Sequence, residues 1–380
     1  MSERKASSMQ CATQRWEWLD CAKGIGIVTV VVGHAVTGRL HDWIYLFHMP
    51  LFFILSGIAY HSEPSAQLIY KRVFSLLLPY GCFLTLLTGM QDAGMMLDGK
   101  SWSAIFHSDL LLARRMLFGG RQLTGWFGTA WFITVLFGAQ VAFNAMARRM
   151  GEGCGVRLIP LLLLMLVIAY PLGGYSLAWN MAVLPMAIFF LGIGSLWAST
   201  FLLGGEPVFE GPVHLLIAIV TLLLTPFILP MDMKFGHYGS ALTSVAGAIG
   251  WSHMIVWLSR WLASGPLTPL GIGRKFALLG RASLVILFMH RMVLIETQPW
   301  WPASVRIVVA LAVPVLFYLL LERSSPIIRL GLLGLRRPVP PPAWVRRIDG
   351  LLHHPAMAVR AQAVMTAPPP AARARRARGR

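Results

Sequence analysis

Residues 15–60 read RWEWLDCAKGIGIVTVVVGHAVTGRLHDWIYLFHMPLFFILSGIAY, and this stretch decides the fold. Its first apolar segment carries Asp20, Lys23 and His34, and its second carries His48. Ionisable side chains near or inside a bilayer are costly, so each of the four is by default a candidate for function. Which side of the bilayer each of these side chains faces depends on the topology of the rest of the chain.

The composition indicates a membrane protein. Of the 380 residues, 56% are hydrophobic and only 13% are charged, whereas soluble proteins carry about 25% charged residues. Long stretches show neither the helical period of 3.6 nor the strand period of 2 that a water-exposed face would impose. We therefore predict an all-α, polytopic transmembrane helical bundle. No small-residue cleavage site follows the first apolar run, so we do not interpret that run as a removable signal peptide.

Crossing a bilayer takes roughly 20 apolar residues, and the sequence predicts about ten transmembrane helices. Nine or eleven remain possible if the weaker segments near 156–198 are wrongly divided. The predicted spans are 21–38, 43–60, 73–90, 125–147, 156–173, 179–198, 213–230, 239–261, 276–298 and 303–321.

Ten spans place both termini on one side, and the distribution of Lys and Arg among the loops predicts that this side is the cytoplasm. The protein is accordingly expected to be a multi-pass protein of the inner (cytoplasmic) membrane. We divide the chain into a cytoplasmic N-terminal segment, 1–19, a transmembrane domain, 20–321, and a basic, largely disordered cytoplasmic tail, 322–380. The net charge of +18 favours attraction to anionic lipid headgroups. It does not indicate nucleic-acid binding.

The four cysteines, Cys11, Cys21, Cys82 and Cys154, lack the close spacing of metal ligands. None falls in a predicted extracytoplasmic loop. We predict no disulfide and no metal site.

In the first span, Lys23 and His34 are eleven residues apart, close to three helical turns, so they share one face about 16 Å apart. Asp20 lies one turn before Lys23 on that face. The predicted orientation places Asp20 and Lys23 near the cytoplasmic surface and His34 in the outer half of the bilayer.

Other polar residues reach similar depths on other helices. His48 lies in the second span and His290 in the ninth, and both fall in the outer half of the bilayer. Three helices therefore place His34, His48 and His290 at a similar depth. Trp131 reaches a comparable level, whereas Ser283 lies nearer the cytoplasmic end of the ninth span.

Purely structural roles are open for each of these residues. A membrane histidine such as His48 or His290 can be a satisfied interhelical hydrogen-bond partner. Lys23 and Asp20 can form an interfacial ion pair with a snorkelling lysine. Lys71 and Arg72 can belong to the positive-inside bias, and tryptophans often anchor the membrane interface.

The available chemistry is narrow, because the sequence has no GxSxG elbow, no P-loop and no Rossmann glycine pattern. A neutral imidazole in an apolar bundle can take a proton from a hydroxyl, which suits acyl transfer to an alcohol. Basic residues at the inner rim suit a donor that carries phosphate.

At these residues the sequence resembles membrane acyltransferase family 3, in its branch similar to fucose 4-O-acetylases. The similarity runs in family order across residues 15–291, and its first two motifs are highly specific. The matching segments are Leu19-Asp20, Lys23-Gly24-Ile25-Gly26-Ile27, Val32-Gly33-His34, Phe47-His48-Met49-Pro50-Leu51-Phe52-Phe53, Ser56-Gly57, Lys71-Arg72, Leu77-Leu78-Pro79-Tyr80, Trp131-Phe132, Leu191-Gly192, Gly280, Ser283 and His290.

The resemblance implies ten spans, an acyl-CoA donor from the cytoplasm, an acceptor hydroxyl outside, usually on a glycan, and His34 as the essential histidine. Many members of the family carry Arg where this chain has Lys23, and an ammonium cannot make a bidentate contact. The paired basic residues before the third span match Lys71 and Arg72.

The sequence thus predicts an enzyme that transfers an acyl group other than an amino-acyl group, in the first place an O-acetyltransferase acting on an extracytoplasmic carbohydrate. We expect His34 to be the general base, with Asp20 and Lys23 at the inner end of the path. We expect His48, Trp131, Ser283 and His290 to bind substrate, and Lys71 and Arg72 to bind the CoA phosphates.

No tightly bound cofactor is expected; acetyl-CoA or another acyl-CoA is the donor substrate. The expected partners are that donor, the carbohydrate and membrane lipids. The alternatives are a succinyltransferase acting on periplasmic glucans, an exporter without acyl transfer, and a structural scaffold. The scaffold leaves the buried ionisable residues unexplained.

Overall fold

The computed structural model describes residues 17–151, 155–198, 211–264, 270–334 and 341–352, and these segments are mainly α-helical. Within them no β-strand occurs, and a single isolated bridge pairs Asp232 with His237. Most of the predicted N-terminal segment, Cys11, Cys154 and the last part of the predicted tail lie outside the described residues.

Fifteen α-helices follow one another through the described residues. They are α1 Glu17–Ala35, α2 Arg39–Ile58, α3 Ser65–Arg72, α4 Leu78–Leu97, α5 Trp102–Phe118, α6 Trp131–Met150, α7 Leu158–Gly173, α8 Leu184–Trp197, α9 Pro212–Leu224, α10 Thr243–Ser264, α11 Ile272–Arg281, α12 Ser283–Glu296, α13 Ala303–Glu322, α14 Pro326–Leu333 and α15 Ala343–Leu352. A π-helical turn, Val73–Leu77, joins α3 to α4.

Each of the ten predicted spans overlaps a helix. In the described part of the chain, five segments are long and apolar enough to cross a bilayer, and a sixth qualifies if the bent pair α11 and α12 forms one span. The five are Glu17–Ala35, Ser65–Leu97, Gly125–Met150, Ala178–Trp197 and Ala303–Glu322. The protein is therefore an all-α protein with several membrane-spanning helices, while the number ten and the cytoplasmic termini stay predictions.

Helix α1 packs against α11 through two glycines. A methyl group on Gly24 would overlap the backbone carbonyl of Phe276, and one on Gly280 would overlap the carbonyl of Asp20. Both pairs are spaced by one helical turn, so the two backbones touch along a full turn. Only glycine allows so close an approach.

Helix α2 packs against α8 in the same way. A side chain on Gly57 would meet the carbonyl of Leu191, and one on Gly194 would meet the carbonyl of Ile54. The two helices that carry Asp20, Lys23, His34 and His48, α1 and α2, are therefore each fixed by backbone contact to a partner helix.

The predicted ninth span, 276–298, is not straight. The axes of α11 and α12 differ by 78° across Ala282, whose φ of −85° and ψ of −2° depart from helical values. Ala282 still donates to the carbonyl of Leu278 and accepts from the amide of Ile286. The bend therefore keeps these backbone groups paired, which a bilayer requires.

The segment predicted as a disordered tail begins with two helices, α14 and α15. The carboxylate of Asp349 accepts hydrogen bonds from the amides of Ala66 and Gln67, at 2.8 and 3.2 Å. These amides belong to the first turn of α3, which has no carbonyl partners for them. Since Asp349 is buried, α15 is fixed against the start of α3.

We expect Gly280→Ala to destabilise the protein by about 1–3 kcal/mol, the usual cost of forcing extra atoms into a packed core. The added methyl would collide with the backbone of Asp20. The measurement is the apparent melting temperature of the purified protein in detergent.

Gly89→Ala is the matched control, because Gly89 lies in helix α4 with nothing within 4 Å of the added methyl. Equal melting temperatures for the two variants would contradict the backbone contact between α1 and α11.

Candidate active site

A large cavity of about 990 Å³ lies at the end of the bundle that the predicted topology assigns to the cytoplasm. Its volume is at the upper end of the range for small-molecule sites. The wall includes basic, acidic and amide side chains among apolar ones. The polar residues that matter here are Asp20, Lys23, Arg72, Gln140, Arg281 and Ser283.

A smaller cavity of about 260 Å³ lies further along the same helices. By the predicted topology it belongs to the outer half of the membrane. Its wall contains imidazole, phenol, indole and cationic groups. The residues that matter here are His34, Tyr45, His48, Trp131, Lys234 and Arg291.

Met49 and Leu287 line both cavities, and each is only 6% exposed. On α2, Ser56 faces the inner cavity and His48 the outer one. On α12, Ser283 faces the inner cavity and Arg291 the outer one. The two cavities therefore adjoin at an apolar layer that includes these two side chains.

Helix α1 lines both cavities along one face. Asp20, Lys23 and Ile27 face the inner cavity, and Val30 and His34 face the outer one. Asp20 and His34 are fourteen residues apart, which is about 21 Å along a helix. The shared face predicted for Asp20, Lys23 and His34 thus follows a path from one cavity to the other.

The three predicted histidines meet. The ring of His34 stacks on that of His290, with centroids 5.4 Å apart and planes inclined by 27°. The ring of His48 stands edge-on to His34 at 6.4 Å. His48 lines the outer cavity, whereas His290 is fully buried and packs behind His34. The structure therefore brings together the three histidines that the sequence predicts at a similar depth.

Hydrogen bonds define which nitrogens carry protons. His48 and His290 each place Nδ1 near a backbone carbonyl, of Ile44 at 2.9 Å and of Ile286 at 2.7 Å. A carbonyl only accepts, so Nδ1 donates, and in the neutral ring Nε2 is left as an acceptor. Nε2 of His290 is buried and has no hydrogen-bond partner among the described residues.

His34 differs because its Nδ1 lies 3.1 Å from the hydroxyl of Tyr45, which can donate or accept. When Nδ1 of His34 donates to Tyr45, Nε2 is free to take a proton from another hydroxyl. His41 stacks on Tyr45 at 3.9 Å and contacts the carbonyl of Gly33 through Nδ1. Tyr45 is thereby held in position against His34.

At the inner end, the ammonium of Lys23 lies 3.8 Å from the buried carboxylate of Asp20, and the lysine side chain is 35% exposed. Arg281 lines the same cavity, next to Gly280, which packs on Asp20. Lys23 and Asp20 thus form the ion pair that the sequence allows as a purely structural alternative, but this pair lies in the wall of the inner cavity.

Lys71 and Arg72, the two basic residues before α4, differ in their position relative to the inner cavity. Lys71 donates to the carboxylate of Glu63 at 2.6 Å and does not line the inner cavity. Arg72 lines that cavity, and its buried Nε has no hydrogen-bond partner among the described residues. The structure therefore brings Arg72, but not Lys71, to the predicted donor side.

The predicted substrate-binding residues are divided between the cavities. Trp131 lies in the wall of the outer cavity with His48, and Ser283 lies in the inner one. Ser283 is consequently separated from His34 by the layer of Met49 and Leu287.

Sequence reasoning missed Tyr45, Lys234, Arg281 and Arg291. Tyr45 stands one helical turn before His48, so helical spacing could have found it. Lys234 lies in the loop between α9 and α10, and no periodic pattern indicates where a loop residue points.

Lys234 is held by the carbonyls of Leu123 and Gly128, to which its ammonium donates at 2.6 and 3.0 Å. Burial, and next the positive charge of Arg291, lower the pKa of Lys234 to about 8, while Asp232 opposes the shift. The side chain is therefore mostly protonated at pH 7.

In the described part of the chain, no group of three or more His, Cys, Asp or Glu residues is placed to hold a metal ion. There, Cys21 and Cys82 are free thiols.

The fold and the two-sided site are those of an integral membrane protein with a buried histidine centre. The chain belongs to acyltransferase family 3, whose acyltransferase domain matches residues 16–323. This confirms the resemblance drawn from the motifs, and the protein is a membrane acyltransferase. No curated protein and no solved structure is significantly similar to the chain.

The separation of the cavities can be tested with single cysteines in a variant that lacks the native ones. Val30→Cys lines the outer cavity and Ile27→Cys the inner one, only three residues away. We expect a membrane-impermeant thiol reagent to label Val30→Cys only from outside and Ile27→Cys only from the cytoplasm. Labelling of both from one side would show that Met49 and Leu287 do not divide the path.

Proposed function

We propose that this protein is an O-acetyltransferase of the inner membrane that moves an acetyl group from cytoplasmic acetyl-CoA to a hydroxyl of an extracytoplasmic glycan. The observation that carries the proposal is that one face of α1 has Lys23 at the inner cavity, which Arg72 and Arg281 also line, and His34 at the outer one. A phosphate-bearing donor and a neutral sugar hydroxyl need these two environments.

In the proposed reaction, Nε2 of His34 takes the proton of the acceptor hydroxyl while the hydroxyl oxygen bonds to the carbonyl carbon of the thioester. The tetrahedral intermediate then collapses and the carbon–sulfur bond breaks. Coenzyme A leaves as the thiolate and takes the proton from His34, which returns to its neutral form. Tyr45 keeps the imidazole in the reactive tautomer by accepting from Nδ1.

The thioester has to reach His34 from the inner cavity, and on this path it passes the apolar layer that includes Met49 and Leu287. Methionine is unbranched and adapts its shape, which suits a passage that opens for a small acyl group. Asp20 and Lys23 then lie along the pantetheine arm, and Arg72 and Arg281 lie where the CoA phosphates enter. A role of Lys71 in binding these phosphates has less support, because its ammonium already pairs with Glu63.

The general-base role predicts that His34→Ala lowers acetyl transfer by about 10²–10⁴-fold, the usual contribution of a positioned base. The assay measures label from [¹⁴C]acetyl-CoA in envelope glycans of membrane vesicles, with succinyl-CoA in a parallel reaction to identify the donor.

His107→Ala is the control, since His107 is exposed on α5 and lines neither cavity. Near-normal transfer by His34→Ala, in membranes where the variant is inserted in normal amount, would rule out the base. Solute export without consumption of acyl-CoA would instead support the exporter.

Substitutions of Lys71 and Arg72, the two basic residues before α4, are expected to change the KM for acetyl-CoA by different amounts. We expect Arg72→Ala to raise the KM for acetyl-CoA about tenfold or more, because a hydrogen bond to a charged group contributes about 1.5–3 kcal/mol. Lys71→Ala is the matched variant and should change KM by less than about threefold, because Lys71 pairs with Glu63 and does not line the inner cavity. Equal effects would contradict the assignment of Arg72 to the donor site.

A further inference from the structure

Two cations in the outer cavity have no part in the proposed reaction. Lys234 comes from the loop after α9, and Arg291 follows His290 on α12. A Cβ placed on Gly128 would lie 3.8 Å from Nε of Arg291 and 3.9 Å from Nζ of Lys234. Two elements far apart in sequence therefore bring their positive charges to one side of the small cavity.

These charges are not fully balanced. Asp232 is the only acidic residue in the described lining of the cavity, and its carboxylate already accepts from the amides of Lys234 and Phe235. The ammonium of Lys234 bonds to carbonyls, which fix its position without neutralising it. With two cations and one carboxylate, the lining carries an excess positive charge.

Arg291 is the less satisfied of the two. Its side chain forms no hydrogen bond or ion pair with another residue in the described part of the chain, and its Nε is buried. A buried polar group without a partner is rare in a native protein and calls for an explanation. An ionisable residue at membrane depth is in addition a candidate for function. The missing partner of a guanidinium is an anion.

We propose that the outer cavity takes an acceptor that carries a carboxylate or phosphate close to the hydroxyl to be acylated, and that Arg291 and Lys234 bind this anion. The proposal rests on the proposed function, which makes the outer cavity the acceptor site. Arg291 presents a planar fork that matches either anion, and Lys234 supplies a point charge. With the anion held there, the neighbouring hydroxyl reaches His34, which lines the same cavity.

A different use of Arg291 is stabilisation of the oxyanion of the tetrahedral intermediate. That role is indifferent to the charge of the acceptor and acts on kcat. Binding of the anion acts instead on acceptor affinity and on the identity of the acylated glycan, so the two roles separate experimentally.

The first test is mass spectrometry of envelope glycans from cells with and without the protein, with the acyl group located on the glycan. We expect it on a unit that carries, or adjoins, a carboxylate or phosphate. Acylation of a neutral glycan far from any anion would overturn the anionic acceptor and leave the proposed function intact. Absence of any acyl difference would instead count against the proposed function.

The second test measures binding to the purified protein. Methyl glucuronide and glycerol phosphate are compared with methyl glucoside and glycerol at constant ionic strength. At least one anion should raise the apparent melting temperature with the logarithm of its concentration, as a ligand of the native state does. The two anions distinguish a carboxylate from a phosphate.

Arg291→Gln should abolish the rise and Arg291→Lys should restore part of it. Arg306→Gln is the matched control, because Arg306 also has a buried Nε without a partner but lines neither cavity. If Arg291→Gln fails to fold, Lys234→Gln should weaken the same response. A protein that neither anion stabilises, or a response that Arg291→Gln and Lys234→Gln keep in full, would overturn the proposal.

Discussion

The site depends on the direct contact of backbones between α1 and α11. Gly24 and Gly280 allow this contact because neither has a side chain to hold the helices apart. In a bilayer, where lipid is as apolar as leucine, close packing of this kind is a main source of helix association. The contact fixes the start of α1, and with it Asp20 and Lys23, against the bend that redirects α12 and its His290.

Once these helices are fixed, the path between the cavities follows from helical geometry. Residues three or four apart share a face, so α1, α2 and α12 each present one row to both cavities. The rows alternate in character: charges at the inner end, an apolar layer at Met49 and Leu287, and imidazoles beyond it. The arrangement needs no mobile domain, and the chemistry of each compartment is set by position along the helix.

The meeting of the histidines could be predicted because depth in a bilayer follows from span order and residue count. His34, His48 and His290 needed only those two quantities. The 78° bend at Ala282 could not be predicted. It adjoins Gly280, whose backbone contact is with Asp20, 260 residues earlier in the chain, and a contact so distant in sequence leaves no local pattern. Lys234 could not be predicted as a site residue for a related reason. A loop has no periodic pattern, and the carbonyls that bind the ammonium of Lys234 belong to other loops. The two helices at the start of the tail, α14 and α15, were not predicted, because the basic composition of the tail indicates disorder and their apolar faces are short.

The thin layer of Met49 and Leu287 also has an electrical consequence. If the two cavities open to opposite sides of the membrane, as the proposed function requires, water and ions in them carry the potential of each bulk phase inward, and most of the membrane voltage falls across the layer between them. Moving a unit charge across a voltage of 100 mV changes its free energy by about 2.3 kcal/mol, and in this arrangement the change falls within the apolar layer. A charge that moves between the cavities would then experience a focused field, and a dry apolar layer would be needed to prevent ions from leaking through the protein.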